Sequence, residues 1–236
     1  MIVNIHRINH NNTGDMASSP LDYFDLGPSI RIDIQTAQIQ DYHGLVIFGG
    51  GGLFRPGWIE IIKGICAINR YCFWGVGINN TSPPDLKLEG IRDIYPNSTW
   101  VPCASCMSKL FDKVYPIKED VVMLKHTKQP LPNFTFRTLD NNRQFEEIIE
   151  FLGSANIVIT NSYHGVYWAT LLGKKVLCVS QYNKFNYMKY RVPVCRDITL
   201  DDFNFIKDEI ETFPNALQEC REANINHFKR VSVNID

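Results

Sequence analysis

The most reactive arrangement in this sequence is a histidine in the first turn of a helix that opens directly after a buried strand. It stands in Asn161-Ser162-Tyr163-His164-Gly165. Asn161 or Ser162 is suited to cap the helix, whose first free amides and dipole then form an anion site. The dipole disfavours the imidazolium form of His164, and a bound phosphate or carboxylate reverses that bias. His164 is thus a candidate proton donor armed by an anionic substrate. The competing reading is a capped helix with an incidental histidine.

Three other clusters invite chemistry. Gly49-Gly50-Gly51-Gly52 follows the apolar run Leu45-Val46-Ile47-Phe48. Such a run lets backbone amides approach a phosphate or sugar closely, although a tight turn also uses glycine. No Gly-Lys-Ser/Thr follows, and the spacing is not Gly-x-Gly-x-x-Gly, so neither familiar nucleotide loop is present. Lys184, Lys189, Arg191 and Arg196 are interleaved with Tyr182, Phe185, Tyr187 and Tyr190. Cations beside aromatics suit an anionic ligand with a sugar ring, or else a solvated loop. Cys103-Ala104-Ser105-Cys106 has metal-like spacing, but neither a second pair nor a nearby histidine supports zinc; packed residues are expected there, with no metal.

The elements that must position these residues alternate. Strands are predicted at Ile2 to Ile8, Leu45 to Phe48, Tyr71 to Trp74, Val121 to Leu124, Ile157 to Ile159 and Val176 to Val179. Helices are predicted at Trp58 to Ile68, Asn142 to Leu152, Tyr163 to Leu172, Leu200 to Ile210 and Pro214 to Phe228. The alternation predicts an α/β chain of two Rossmann-like lobes with parallel sheets, divided near Tyr115-Pro116-Ile117-Lys118. Ligands in such sheets lie beyond the carboxyl ends of the strands, so the glycine run and the Asn161 turn can face one central cleft.

Composition narrows the partners. The chain has 236 residues and a net charge of -1, with 44% hydrophobic and 21% charged residues. That balance suits a folded protein and gives no basic field for nucleic acid. Met1 to Arg7 has no signal-like apolar core, and no apolar run nears the ~20 residues of a spanning helix. The expectation is a cytoplasmic protein with no transmembrane segment, a peripheral place at the inner face of the membrane staying open. Seven scattered cysteines fit reduced thiols.

In chain order, Asn12-Thr13-Gly14-Asp15, Gly49 to Gly52, Gly75-Val76-Gly77, the Asn161 to Gly165 turn and Lys184 resemble the motifs of the polysaccharide pyruvyl transferase family. The resemblance implies a fold like that of GT-B glycosyltransferases. It also implies transfer of the enolpyruvyl unit of phosphoenolpyruvate to sugar hydroxyls, making a ketal without a cofactor. The acceptor would be a sugar or a lipid-linked oligosaccharide. On this reading residues 1–117 form the acceptor lobe and residues 118–236 the donor lobe. His164 is the acid, and Asp15 is either a base on the incoming hydroxyl or a turn residue. Asn12, Gly14, Gly49, Gly50, Gly51, Asn161, Ser162, Tyr163, Gly165, Lys184 and Arg191 are expected at the substrates. Two departures stand out: Ser162-Tyr163 replaces an arginine often found before the family's histidine, and the stretch between Asp15 and Gly49 is short. A glycosyltransferase using a nucleotide sugar and a non-catalytic glycan-binding relative are the alternatives.

Overall fold

Val3, Ile5, Val46, Ile47 and Phe48 are completely buried, as continuous apolar runs require when both faces of a sheet are covered. A computed structural model describes residues 1–8, 11–78, 85–126 and 130–233. The first half runs through β1 (Ile2–His6), the short helix α1 (Thr13–Met16), β2 (Ser29–Asp33), β3 (Leu45–Phe48), β4 (Gly51–Phe54), α2 (Ile59–Ile68), β5 (Arg70–Phe73), β6 (Val76–Ile78), β7 (Glu89–Ile91) and β8 (Thr99–Trp100). The second half holds β9 (Glu119–Lys125), β10 (Arg137–Asp140), α3 (Phe145–Gly153), β11 (Ala155–Thr160), α4 (Tyr163–Leu171), β12 (Lys175–Val179), β13 (Val194–Cys195), α5 (Leu200–Ile206) and α6 (Ala216–Ser232). Asn9, His10 and Gln129, which fall in expected loops, lie outside the described residues.

Every strand pairing among the described residues is parallel. The first sheet has the order β2-β1-β3-β5 and the second β10-β9-β11-β12-β13. Each therefore reverses direction beside its first strand, at β1/β3 and at β9/β11. Such switch points leave a crevice at the strands' carboxyl ends, which is where open α/β sheets take ligands.

A third sheet, β4-β6-β7-β8, has no counterpart in the sequence-based expectation. It exists because two neighbouring strands bend side by side: β3 continues into β4 through Gly49-Gly50, and β5 into β6 through Trp74-Gly75. A Cβ at Gly49 would lie 2.2 Å from the Trp74 carbonyl oxygen, and one at Gly50 would lie 2.8 Å from that of Ser18. Gly75 has φ +67°, which glycine adopts without strain. Gly49 thus lets the two strands run close together, and Gly50 lets the chain pass Ser18.

The final helix crosses back. Trp74 Nε1 donates to Asn224 Oδ1 at 2.7 Å, and Asn224 Nδ2 donates to the Cys220 carbonyl at 2.9 Å. His227 meets the Trp74 ring edge-on, and Phe228 stacks on Phe24. So α6, which the sequence groups with the second half, covers part of the first sheet.

The Cys103 to Cys106 segment is a buried turn that supports α4. Tyr167 Oη donates to the Cys103 carbonyl at 2.8 Å, and Trp168 Nε1 donates to Ser105 Oγ at 3.0 Å. All seven cysteines are free thiols. No helix among the described residues is long and apolar enough to cross a membrane.

Candidate active site

Thr160 ends β11 with its hydroxyl donating to the Leu124 carbonyl at 2.7 Å, which ties the switch-point strands together. The chain then turns. Ser162 N–H donates to Thr160 Oγ1, and Ser162 Oγ accepts the Gly165 N–H at 3.4 Å as the N-cap of α4. The first intrahelical bond runs from Val166 N–H to the Ser162 carbonyl at 3.0 Å. The amides of Tyr163 and His164 therefore precede the helix ladder, in the position that suits an anion. Gly165 fits beneath because a Cβ there would lie 2.4 Å from Thr160 Oγ1.

This helix start forms one wall of a cleft of about 450 Å³ that spans both switch points. Arg7, Asn11, Asn12 and Asp15 come from the segment after β1, and Gly52, Arg55 and Trp58 from β4 and the loop that follows it. His126 follows β9, Ser162, Tyr163 and His164 follow β11, Lys184 follows β12, and Arg92 follows β7. Among the described residues the lining thus carries Arg7, Arg55, Arg92 and Lys184 against the single carboxylate of Asp15. Arg7 is paired with Asp33, and the Arg55 guanidinium lies 3.3 Å above the Trp58 ring. A chain with almost no net charge has concentrated cations in one concave place, which focuses its field on an anion.

Arg92 is the residue that sequence inspection misses. Its guanidinium lies 3.5 Å over the centre of the Tyr163 ring. Tyr163 is seated between Arg92 and Phe185, whose ring stacks on it at 6.4 Å. A guanidinium from the other half of the chain thus lies beside a turn whose own sequence has no arginine. Its signal is legible only in retrospect: a Cβ on Gly77 would lie 2.3 Å from Arg92 Nε, so the second glycine of Gly75-Val76-Gly77 makes room for this side chain.

His164 is buried, and its Nε2 has no hydrogen-bond partner among the described residues. Burial holds its pKa well below the ordinary value, and the charges of Arg92 and Lys184 push the same way. The direction matches the expectation from the helix start, but desolvation is the leading cause rather than the dipole. Lys184 is itself lowered to about 8, first by burial and then by Arg92. Behind Arg92, the Asp93 carboxyl accepts the Ile78 N–H and is raised to about 6 by burial. The cleft concentrates positive charge where burial leaves it poorly solvated.

The Asn12 to Asp15 turn locks against this wall. A Cβ on Gly14 would lie 2.1 Å from His164 Nδ1, so only glycine lets the turn lie flat on the imidazole. Asn12 Oδ1 accepts the Gly14 N–H, and Asn12 Nδ2 donates to Asp15 Oδ2 at 2.9 Å. Across the halves, Thr13 N–H donates to the Asn141 carbonyl at 3.0 Å.

The structure brings together Asn12, Asp15, Ser162, Tyr163, His164 and Lys184 at the cleft, with Gly14 and Gly165 as close-packed supports. Gly49 packs on the Trp74 backbone at the strand crossing, Gly50 on Ser18 and Gly51 against Asp15, and Gly52 is the glycine of that run that lines the cleft. Asn161 is buried, and its side chain braces the loop after β9. Its Oδ1 accepts the His126 N–H at 2.7 Å, and its Nδ2 donates to the Pro130 carbonyl at 2.9 Å. Arg191 is exposed and does not line the cleft. The expectation that Arg191 contacts a substrate finds no support in this cleft, whose lining holds Lys184 instead.

Residues 108–182 match the family model for polysaccharide pyruvyl transferase, a family of transferases. The matched segment contains β9, β11 and α4 with the Ser162 cap, while Asp15, Arg92 and Lys184 lie outside it. Among solved structures, a functionally uncharacterized protein from Klebsiella pneumoniae aligns with a TM-score of 0.52 at 19% identity, over 79% of this chain and 85% of that one. This likeness shows the mixed α/β, Rossmann-like fold. No curated protein matches the chain.

Gly77→Ala is expected to push the Arg92 guanidinium off Tyr163 and weaken binding of pyruvate, used as a small carboxylate probe, by about tenfold, the size of one lost charge-assisted contact. Calorimetric titration checks this; unchanged affinity would show that Arg92 does not face the anion.

Proposed function

We propose that the chain is a pyruvyl transferase that takes phosphoenolpyruvate in the cationic cleft and passes its pyruvyl group to sugar hydroxyls as a ketal. The observation that carries this reading is the unpartnered Nε2 of His164 beside Arg92, Lys184 and two helix-start amides. Phosphoenolpyruvate brings a phosphate and a carboxylate on one small carbon frame, so it needs several cations within a few ångströms and a proton donor for its methylene. The family match of the segment carrying α4 supports the same chemistry.

In this account the donor phosphate lies on the amides of Tyr163 and His164 with Lys184, and the carboxylate faces Arg92. Their negative charge offsets the two cations that hold His164 neutral, so the imidazole gains a proton on binding. His164 then protonates the methylene carbon, which becomes a methyl group and leaves oxocarbenium character on the adjacent carbon. One sugar hydroxyl oxygen bonds there and loses its proton to Asp15 or to the imidazole. The carbon–oxygen bond to phosphate breaks, inorganic phosphate leaves, and a second hydroxyl closes the ketal with loss of its own proton. Arg92 and Lys184 bind the donor throughout. Phosphoenolpyruvate is a cytoplasmic metabolite, which gives the reaction its compartment.

His164→Ala is expected to lower phosphate release from phosphoenolpyruvate with acceptor present by about 10²–10⁴-fold, the usual contribution of a positioned acid. Full activity of that variant would remove the acid role, and release of nucleoside diphosphate from a nucleotide sugar would favour a glycosyltransferase instead. Donor affinity carries a second signature. Burial and Arg92 bring the Lys184 pKa down to about 8, and its charged form is the one that binds the anion. The dissociation constant should show a break near that pH, rising above it by up to about tenfold per unit more than the proton uptake of His164 alone produces. Lys184→Arg should remove that break, and a break that survives this change would assign it to another group.

A further inference from the structure

A second depression opens beside the donor cleft, at the carboxyl ends of β9 and β12. It measures about 660 Å³ and is walled by Pro130, Pro132, Ser180, Tyr182, Arg196 and Asp197, among others. Two contacts join it to the cleft. Asn161, next to the helix cap, donates to the Pro130 carbonyl at 2.9 Å. Lys184, which lines the cleft, has its Nζ 5.5 Å from the ring centre of Tyr182, which walls the groove.

The chemistry of the two spaces differs. The cleft lining is strongly cationic, whereas the groove sets one guanidinium, Arg196, against one carboxylate, Asp197. A diphosphate gains nothing there that the cleft does not offer better. An uncharged polyhydroxylated chain fits both halves of the lining: sugar C–H faces pack on proline and tyrosine, and hydroxyls bond to a guanidinium and a carboxylate. Tyr182 is 41% exposed, and its N–H donates to Ser180 Oγ, which fixes the turn that presents the ring.

We propose that this groove holds the acceptor glycan, with Tyr182 as the platform for a sugar ring and Arg196 and Asp197 as hydroxyl partners. The chain then enters from the second half of the protein, on the same side as the donor, and delivers its hydroxyls past Tyr182 to the pyruvyl carbon. The proposal rests on the pyruvyl transfer reading above, and it moves the acceptor away from the first lobe, where the sequence placed it.

The test uses the full chain and two independent readouts. Saturation-transfer NMR follows methyl β-D-galactopyranoside, methyl β-D-glucopyranoside and methyl α-D-mannopyranoside, and tryptophan fluorescence follows phosphoenolpyruvate, since Trp58 lines the cleft. At least one glycoside should receive saturation from the wild-type protein. Tyr182→Ala and Arg196→Ala should weaken its binding by about fivefold or more, and leave phosphoenolpyruvate affinity within about twofold. Both side chains are exposed, and retention of donor binding shows that the variants fold. Absence of transfer to all three glycosides, or transfer that both variants leave unchanged, overturns the acceptor groove while the donor reading stands. Uridine diphosphate binding that both variants abolish also overturns it. Failure of the wild-type protein to bind phosphoenolpyruvate defeats the donor reading and the groove proposal together.

Discussion

The stacking of Arg92 on Tyr163 is the interaction on which the site depends. It brings a guanidinium from the strand β7 segment over the first residue of α4, whose sequence offers no cation of its own. An arginine there is costly to bury, and its charge, with that of Lys184, adds to desolvation in holding His164 neutral. Lys184 pays a similar cost and titrates at about 8. The fold tolerates the arrangement because the aromatic face of Tyr163 and the nearby Asp93 offset part of it. What remains uncompensated is an affinity for negative charge, concentrated at the start of a helix. On the proposed reading, anion binding and the protonation of His164 are linked, since the charges of Arg92 and Lys184 act on both.

Glycine is the means by which distant segments reach this place. Gly14 lets the turn after β1 lie on the imidazole, Gly77 makes space for the Arg92 side chain, and Gly165 seats α4 on Thr160. These three positions belong to three separate motifs, and each is explained by the same physical demand for close approach. The four-glycine run tells a different story. Gly49 allows two parallel strands to pass closely from one sheet into another, Gly50 and Gly51 pack on Ser18 and Asp15, and only Gly52 of the run lines the cleft. A run of glycines at a strand end is therefore weak grounds for a ligand loop, because backbone crossing makes the same demand.

Local physics made much of the fold legible. Leu45 to Phe48 and Ile157 to Ile159 are buried on both faces, and their continuous apolar character shows it. The Ser162 cap and the helix that follows were readable from residue type and order. The third sheet was not, since β6, β7 and β8 are two or three residues each and too short to carry a period. Nor was the return of α6 to the first sheet, which rests on the long-range bond between Trp74 and Asn224. Within the site, His164, Asp15 and Lys184 could be found because each sits in or near a recognisable turn. Arg92 could not, because nothing within its own segment marks it; its role exists only through Tyr163 and Gly77. Arg191 shows the converse, a basic residue among aromatics that is exposed and outside the cleft lining.

A crystal structure of the protein with phosphoenolpyruvate tests the central claim most directly. The account predicts the phosphate within hydrogen-bond distance of Lys184 Nζ and the Tyr163 and His164 amides, the carboxylate against Arg92, and the methylene carbon facing His164 Nε2. Phosphoenolpyruvate bound elsewhere, or bound here with its methylene turned away from His164, would contradict it.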